Sequence, residues 1–573
     1  MDAPTRSMSV DVMVGTPAHA LINDAAFVAQ WSRLADACAH ATYFQRPAFV
    51  RIWYDSYERA YEPVVARSSS GLWLLARARG SGALVHAGAQ QAEYHAWLAE
   101  PGCDAEFVGH AWRALVHEVP FEVLRMRYLP QAGLLSALGA APMLSSRVRS
   151  RAAQRPLALV QRAGIDASFA KKSNKSRFSR LRKLGALTFR RITQADEIDA
   201  VLDELIALYD FRQGGAHGTS PFHEDADKRA FHARTFRADP EATHVTVTCL
   251  DGRVIAGLWG GVTRRTVHVG LLAYSPVLAE HSPGKLHLMQ LQRLLLDEGM
   301  EAIDLTPGGD AWKERFADAH DAVADVELYR DAWRRRRVEA GEALRDRARS
   351  VAVAAGLRPA AVRKAIAMVG RVRPSAVARR LASVLGAERE FRVYRMERAA
   401  VERAARPDAR VACDRLEDLL QFEPAERWES RSAFLGEALA RLERGERAFT
   451  VCVGAALAHR GWMVQGQKRS FMSEVQQAID FPDGSVALYD FYTHPRFRGQ
   501  GLYGATIRHM MTVALQDSRM RFCYIAVLAH NAPSRHVIES LGFAYQGSLY
   551  WQRRLWTRRT WADPVFGAEQ SGA

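Results

Sequence analysis

Two stretches near the C-terminal end carry residue types and spacings suited to gripping a phosphate. From Thr493 the chain reads THPRFRGQGLYG, so Arg498, Gly499, Gln500, Gly501, Leu502, Tyr503 and Gly504 follow an alternating apolar run, Ala487 to Thr493, that predicts a strand. A helical pattern starts near Leu502. Strand, glycine loop and helix N-terminus together suit an anion. Glycines let the backbone approach closely, free N–H groups point outward, and the helix dipole favours negative charge. No Gly-Lys-Ser/Thr follows, so no lysine is placed for a γ-phosphate, and the pattern is not G-x-G-x-x-G. A second apolar run, Phe522 to Leu528, predicts a buried strand. Asn531-Ala532-Pro533-Ser534 then predicts a helix start, with Asn531 as cap and proline in the first turn, and Leu541-Gly542-Phe543 marks its end.

Arg498-Gly499-Gln500-Gly501-Leu502-Tyr503 resembles motif A of the GNAT acyltransferases, Arg/Gln-x-x-Gly-x-Gly/Ala. Tyr503 stands where a small residue is usual, and Gly504 comes one place later. Asn531, Ser534 and Leu541-Gly542-Phe543 resemble the family's motif B. The resemblance implies two adjacent parallel strands that splay, with the pyrophosphate of coenzyme A in the loop and the pantetheine arm between the strands. It implies coenzyme-binding roles for Thr493, Arg498, Gly499, Gln500, Gly501, Leu502, Tyr503, Gly504, Asn531 and Ser534, with acetyl-CoA or another acyl-CoA as cosubstrate. An acyl thioester is already activated. The enzyme need mainly position an amine, remove its proton and stabilise the oxyanion. The family pattern then implies an oxyanion donor near Tyr492 and Thr493, and Asp490 as base. The same alternation also suits Asp490 as a surface residue. The usual tyrosine acid, seven residues after the motif-B asparagine, is Ile538 here, which leaves Tyr545 or Tyr550 as substitutes.

A chain of 573 residues is too long for one core, so two to four domains are expected. No apolar run reaches the ~20 residues that span a bilayer. The N-terminus lacks a basic segment followed by an apolar one, so the expected compartment is the cytoplasm. Six scattered cysteines without Cys-x-x-Cys fit a reducing compartment and predict no metal site. A net charge of +15 suits an anionic partner: coenzyme A, nucleic acid, an acidic polymer or anionic lipid.

Residues 1–150 read as a first α/β lobe without a catalytic cluster. Ser145 to Pro156 reads as an arginine-rich polar connector. In 151–330, positions 171–183 hold seven basic residues and no acids, including four of the chain's nine lysines. That run suits a solvated helix face or a phosphate-bearing ligand. Ser282-Pro283-Gly284-Lys285 repeats the C-terminal theme, a turn after a strand that opens a helix. The order Tyr274, Pro283-Gly284, a helix, Asp304, then Gly308-Gly309-Asp310-Ala311-Trp312-Lys313 resembles the second lobe of FemAB-like transferases, most closely the CelD-like acetyltransferase region, with Trp312 where tyrosine is usual. An anion or substrate site of this lobe would draw on Lys175, Gly284, Lys285, Asp304 and Lys313.

Residues 331–387 read as a basic helical linker. From Asp331 to Glu390, fifteen Arg/Lys face six Asp/Glu, and Arg358-Pro359 and Arg373-Pro374 each open a short helix. Such a segment either packs between domains or touches anionic lipid. Residues 388–562 read as a further domain, with strands from Phe391, at Ala448 to Leu457, at Gly461 to Val464 and at Ser485 to Thr493.

The expected fold class is α/β: GNAT-type mixed sheets flanked by helices, as a tandem FemAB-like pair plus a third GNAT domain. The expected function is N-acyl transfer from acyl-CoA to an amine. The resemblance alone points to a small-molecule or glycan amine, an amino sugar of envelope or exopolysaccharide biosynthesis. Two alternatives stand: FemAB-like aminoacyl transfer from tRNA to a cell-wall precursor, the one case that would involve nucleic acid, and a non-catalytic scaffold in a membrane-associated synthase complex.

Overall fold

A computed structural model describes residues 9–354, 387–426, 428–554 and 557–564. Residues 9–209, 221–275 and 281–351 make one compact unit, and the described residues from 387 onward make the body of another. Each is a mixed sheet flanked by helices, as the sequence predicts.

The N-terminal unit holds β1 (Asp11–Val14), β2 (Tyr61–Arg67), β3 (Gly71–Ala78), β4 (Leu84–His86), β5 (Leu98–Ala99), β6 (Val123–Pro130), β7 (Val148–Leu159), β8 (Leu187–Ile192), β9 (Thr243–Leu250), β10 (Arg253–Thr263), β11 (Thr266–Tyr274), β12 (Ala302–Asp304) and β13 (Ala319–Tyr329). They form one sheet in the order β1-β2-β3-β4-β6-β13-β7-β12-β11-β10-β9-β8, with β5 beside β3. Trp73, Trp97 and Trp112 fill the core on one face of its first half, and Trp31, Trp53 and Tyr94 fill the core on the other. Helix Pro283–Asp297 lays Leu288, Leu291 and Leu295 on the second half.

The stretch read as a connector is most of β7, which lies inside this sheet between β12 and β13. Its arginines mislead because they are paired with acids on β13 and the helix after it: Arg149 binds Glu327 and Glu342, and Arg155 binds Asp321. Opposite charges facing each other across strands favour the pairing. Both halves of the unit therefore share one sheet.

The C-terminal unit holds β14 (Ala387–Glu397), β15 (Ala412–Cys413), β16 (Arg447–Val453), β17 (Ala456–Gln465), β18 (Arg469–Met472), β19 (Gln477–Asp480), β20 (Ser485–Thr493), β21 (Phe522–Leu528), β22 (Ala544–Arg554) and β23 (Thr557–Ala562). The main sheet runs β15-β16-β17-β20-β21-β14-β22-β23, and β18 and β19 make a separate hairpin. Only β20 and β21 are parallel in the main sheet; every other pair is antiparallel. Helix Leu502–Ala514 packs Ile507, Met510 and Met511 against Leu488 and Ile525. The run Ala448 to Leu457 is two strands rather than one, because Gly454 at φ 62° reverses the chain.

Of the segment read as a linker, helix Ala332–Ala354 is described, and both Arg-Pro repeats lie outside the described residues. Among the described residues no helix is long and apolar enough to cross a membrane, and no group of His, Cys, Asp or Glu is placed to hold a metal ion.

Candidate active site

In the C-terminal unit β20 and β21 pair only from Ser485 and Phe522 to Leu488 and Ile525. Both strands then continue unpaired with each other, to Thr493 and Leu528. On its other edge β20 carries a bulge. Gly461 of β17 stands against both Asp490 and Phe491, and Asp490 takes a φ of 49°. A bulge bends its strand and sharpens its twist, and this one falls where the pairing with β21 has stopped. A Cβ at Gly461 would lie 2.5 Å from the Phe491 ring, so the bulge needs glycine opposite it.

Past Thr493, His494 Nδ1 accepts the Arg496 N–H at 3.3 Å and fixes a single tight turn, Pro495–Phe497. Gly499 and Gly501 then adopt φ of 77° and 73°, a region costly for residues with a Cβ, and Gly501 opens helix Leu502–Ala514. The N–H groups of Gly499 through Gly504 find no acceptor among the described residues. A Cβ at Gly499 or Gly501 would meet nothing within 4 Å. These glycines thus serve backbone conformation, and the row of amides faces open space at the positive end of a helix. Such a row suits an anion. Arg498 is 60% exposed and donates from Nε to the Thr493 carbonyl at 3.3 Å, which ties the loop to the strand end.

The N-terminal unit repeats the device. β11 and β12 are parallel and pair only at Thr266–His268 with Ala302–Asp304, after which β11 runs on to Tyr274. Gly270 is its extra residue, since Gly260 faces Val269 and Trp259 faces Leu271. Ser282 at φ 54° opens helix Pro283–Asp297, as Gly501 opens its counterpart.

Two family models match the chain. One, described as an acetyltransferase (GNAT) domain, covers residues 168–314, and the other, described as the acetyltransferase (GNAT) family, covers 405–543. The chain is an acyltransferase of the GNAT superfamily. GNAT domains use acyl-CoA, and both matched segments contain one splayed strand pair. Among solved structures the chain is similar to FemX, with 7% identity and a TM-score of 0.37, over 53% of this chain and 96% of that one. It is similar to a tandem GNAT protein from the clavulanic acid biosynthesis pathway at 14% identity and a TM-score of 0.22, over 64% of this chain and 98% of that one. L-PGS from Bacillus licheniformis gives 12% identity and a TM-score of 0.34, over 54% and 92%. No curated protein matches the chain.

In the C-terminal GNAT domain the structure gathers the predicted coenzyme-binding residues around the splay. Asn531 caps helix Ala532–Ser540, its Oδ1 accepting the Ser534 N–H at 3.3 Å. The Ser534 side chain reaches the Tyr503 hydroxyl. Tyr503, the unusual residue of the loop, turns its ring onto Phe491 at 4.9 Å and His459 at 6.0 Å, and burial raises its phenol pKa. It packs beneath the cradle and leaves the amides uncovered.

Two residues expected to do chemistry, Asp490 and Tyr545, are engaged by other contacts. Asp490 Oδ2 accepts from Arg441 Nη1 at 2.5 Å, and Arg441 is also held by Glu437 and by the rings of Trp462 and Tyr489. The carboxylate ties the bulge to helix Arg431–Glu443, an ion pair that the expectation of Asp490 as base did not foresee. Tyr545 lies on β22, separated from β21 by β14, and its hydroxyl meets Ser548 at 2.8 Å and Asp563 at 3.3 Å. It does not reach the splay. Ile538 is fully buried in the core, so no hydroxyl occupies the usual acid position.

Thr493 and Tyr492 do sit at the splayed end of β20. Thr493 Oγ1 lies 2.7 Å from Nδ1 of the buried His459. Burial, with Arg460 adding to it, pushes the His459 pKa from 6.5 down to about 3. The unfolded chain therefore binds a proton between pH 6.5 and 3 that the folded chain refuses. Stability falls as pH drops through that window, by up to about 1.4 kcal/mol per unit. We expect His459→Gln to flatten this slope in a pH series of unfolding midpoints; an unchanged slope would show that His459 does not set it.

Sequence reasoning missed the support below Tyr492. Arg460 is only 3% exposed, yet it pairs with Glu429 at 2.8 Å and stacks under Phe422, Phe434 and Tyr492. The signal available was His459-Arg460 inside an otherwise apolar strand.

In the N-terminal GNAT domain the basic stretch forms helix Lys172–Leu184 and reaches the helix start at Pro283. Lys285 donates to Asn174 at 2.8 Å. Its pKa is lowered, first by burial and then by the nearby Arg177, Lys171 and Arg315. Those cations, rather than the exposed Lys175, bear on the site. A Cβ on Gly284 would strike the Tyr274 ring at 2.7 Å. Lys313 is not a free cation, since it donates to the carbonyls of Thr306 and Pro307 at 3.1 and 3.2 Å and holds the loop after β12. Asp304 is fully buried, takes hydrogen bonds from Tyr94 at 2.9 Å, His268 at 2.8 Å and the Thr306 N–H at 2.9 Å, and builds structure under the splay.

Proposed function

We propose that this protein transfers an acyl group, acetyl first among them, from acyl-CoA to a primary amine, and that the acceptor is an amino sugar or glycan amine used in envelope polysaccharide. The observation that carries the donor half is the unbroken row of unsatisfied amides from Gly499 to Gly504 beside the parted strands. Those amides would hold the pyrophosphate, and the gap past Leu488 and Ile525 would take the pantetheine arm. The N–H groups at the end of β20 would meet the thioester oxygen as charge builds on it. The acceptor half rests on the resemblance of residues 150–330 to CelD-like enzymes.

The test is a mass-spectrometric screen of amine acceptors with acetyl-CoA and the full chain. We expect an acetylated amino sugar and release of free coenzyme A in equal amount. Acetyl-CoA binding without product from any amine would instead favour a second reading, in which the C-terminal GNAT domain binds the thioester but does not turn it over. The burial of Ile538 and the anchoring of Asp490 by Arg441 favour that reading for this domain alone.

A further inference from the structure

The N-terminal unit contains a cavity of about 710 Å³ that touches β11 at Gly270 and Leu271, just where β11 has left β12. That volume is in the range of small-ligand sites. The first half of the unit contributes Tyr57, Gln91 and Glu93 to its lining. The lining is acidic: Glu93, Glu224, Asp225 and Asp227 are offset by one lysine, Lys228. His232 adds no charge near neutrality, since burial, and then Lys228, pushes its pKa down to about 3. Much of the wall is pre-set. Asp225 accepts from the Tyr57 hydroxyl at 2.8 Å and from Gln91 at 3.1 Å, and Lys228 donates to Gln91 at 2.7 Å.

Resting on the reading that this unit binds an acyl thioester at its splay, we propose that the cavity is the acceptor pocket for a polyhydroxylated amine and that Glu93 takes the proton from its ammonium group. A carboxylate wall selects a cation, and the fixed amide and hydroxyl groups of Gln91 and Tyr57 suit hydroxyl-rich ligands. Glu93 is the lining carboxylate next in sequence to Tyr94, whose hydroxyl donates to Asp304 at the end of β12, where β11 and β12 part. Burial raises its pKa above the usual carboxylate range, against the pull of Arg127 at 3.5 Å, Lys313 and Lys228, with Asp304 adding to the rise. A base needs that poise.

In the step, the ammonium gives one proton to Glu93. The freed amine attacks the thioester carbonyl carbon and the C–N bond forms. Collapse breaks the C–S bond, and the thiolate takes the proton that the nitrogen sheds on becoming an amide. Glu93 then returns its proton to solvent, so the products are the amide, free coenzyme A and one proton.

The probe is glucosamine, tested on the full chain in a Gly501→Glu background that silences the C-terminal GNAT domain. We expect saturation-transfer NMR to show glucosamine bound, and acetyl-CoA to acetylate it. Glu93→Gln should lower kcat about 100-fold or more and erase the acidic limb of the pH–rate profile, with the KM for acetyl-CoA unchanged. Gln91→Ala should raise the glucosamine KM several-fold with kcat kept, which tests the pocket even if the Glu93 variant folds poorly. Failure of acetyl-CoA to bind in the Gly501→Glu background overturns the underlying reading of this unit. Acetyl-CoA binding without glucosamine binding overturns the pocket alone. A Glu93→Gln variant that folds and keeps both kcat and the acidic limb overturns the role of Glu93.

Discussion

Replacing Gly501 with glutamate should remove acyl-CoA binding from the C-terminal GNAT domain while leaving it folded. Gly501 sits at φ 73° as the first residue of the helix start, and a Cβ there would meet no other atom of the protein. The substitution therefore creates no internal clash. It brings about 1–2 kcal/mol of left-handed strain and places a carboxylate where the amides would hold a diphosphate. Desolvated like charges repel strongly. Together we expect at least a 100-fold loss of affinity, about 2.7 kcal/mol or more. Isothermal titration of the full chain should lose one class of acetyl-CoA sites. Gly501→Ala, which carries the strain without the charge, should lose about tenfold or less. An undiminished titration in folded Gly501→Glu would move the coenzyme elsewhere.

The largest stability effect is expected at Arg460. This guanidinium is enclosed by three rings and paired with Glu429, whose own side chain is 13% exposed. Its Nε and Nη1 atoms are buried without acceptors, so the pair is held by one edge and by the ring faces. Arg460→Ala leaves a buried carboxylate uncompensated and a hole under Tyr492. Loss of one partner of a buried pair costs about 3–5 kcal/mol, and in a unit of this size that lowers its melting midpoint by roughly 6–20 °C. Replacing both partners by methionine should recover most of it, since the cost lies in the stranded charge. A fall of only a degree or two in Arg460→Ala would show that water reaches Glu429 freely. The same variant should slow turnover beyond its effect on folding, because Tyr492 marks the splayed end of β20.

The glycine loop and the helix starts were readable because they are local. Gly499 and Gly501 are glycines for a conformational reason that lies within a few residues of each, and Asn531 caps the very next turn. What was not readable is decided across strands. The bulge at Asp490 depends on Gly461 of β17, and nothing in the run from Ala487 to Thr493 announces it. Tyr545 looked available because it follows motif B closely in sequence, yet β14 arrives from far upstream and wedges between β21 and β22. The polar run at β7 hid a strand because its arginines find their acids on β13 and the following helix. Arg460 escaped notice because its neighbours Phe422, Glu429 and Phe434 belong to a different segment of the chain.

The place of β14 has an effect on biosynthesis. Among the described strands of the C-terminal unit it is the first to be made, and both of its partners come late: Phe391 lies between Leu528 and Leu549. A nascent chain that has exposed β14 must hold that ribbon open on both edges while the ribosome adds the rest. Closure from opposite ends of the sequence is slow by nature, so β14 has both neighbours only after β22 has left the exit tunnel. A nonsense codon just after helix Ala532–Ser540 would yield a product with the glycine loop already encoded and one flank of β14 permanently bare, a target for proteases rather than a smaller enzyme.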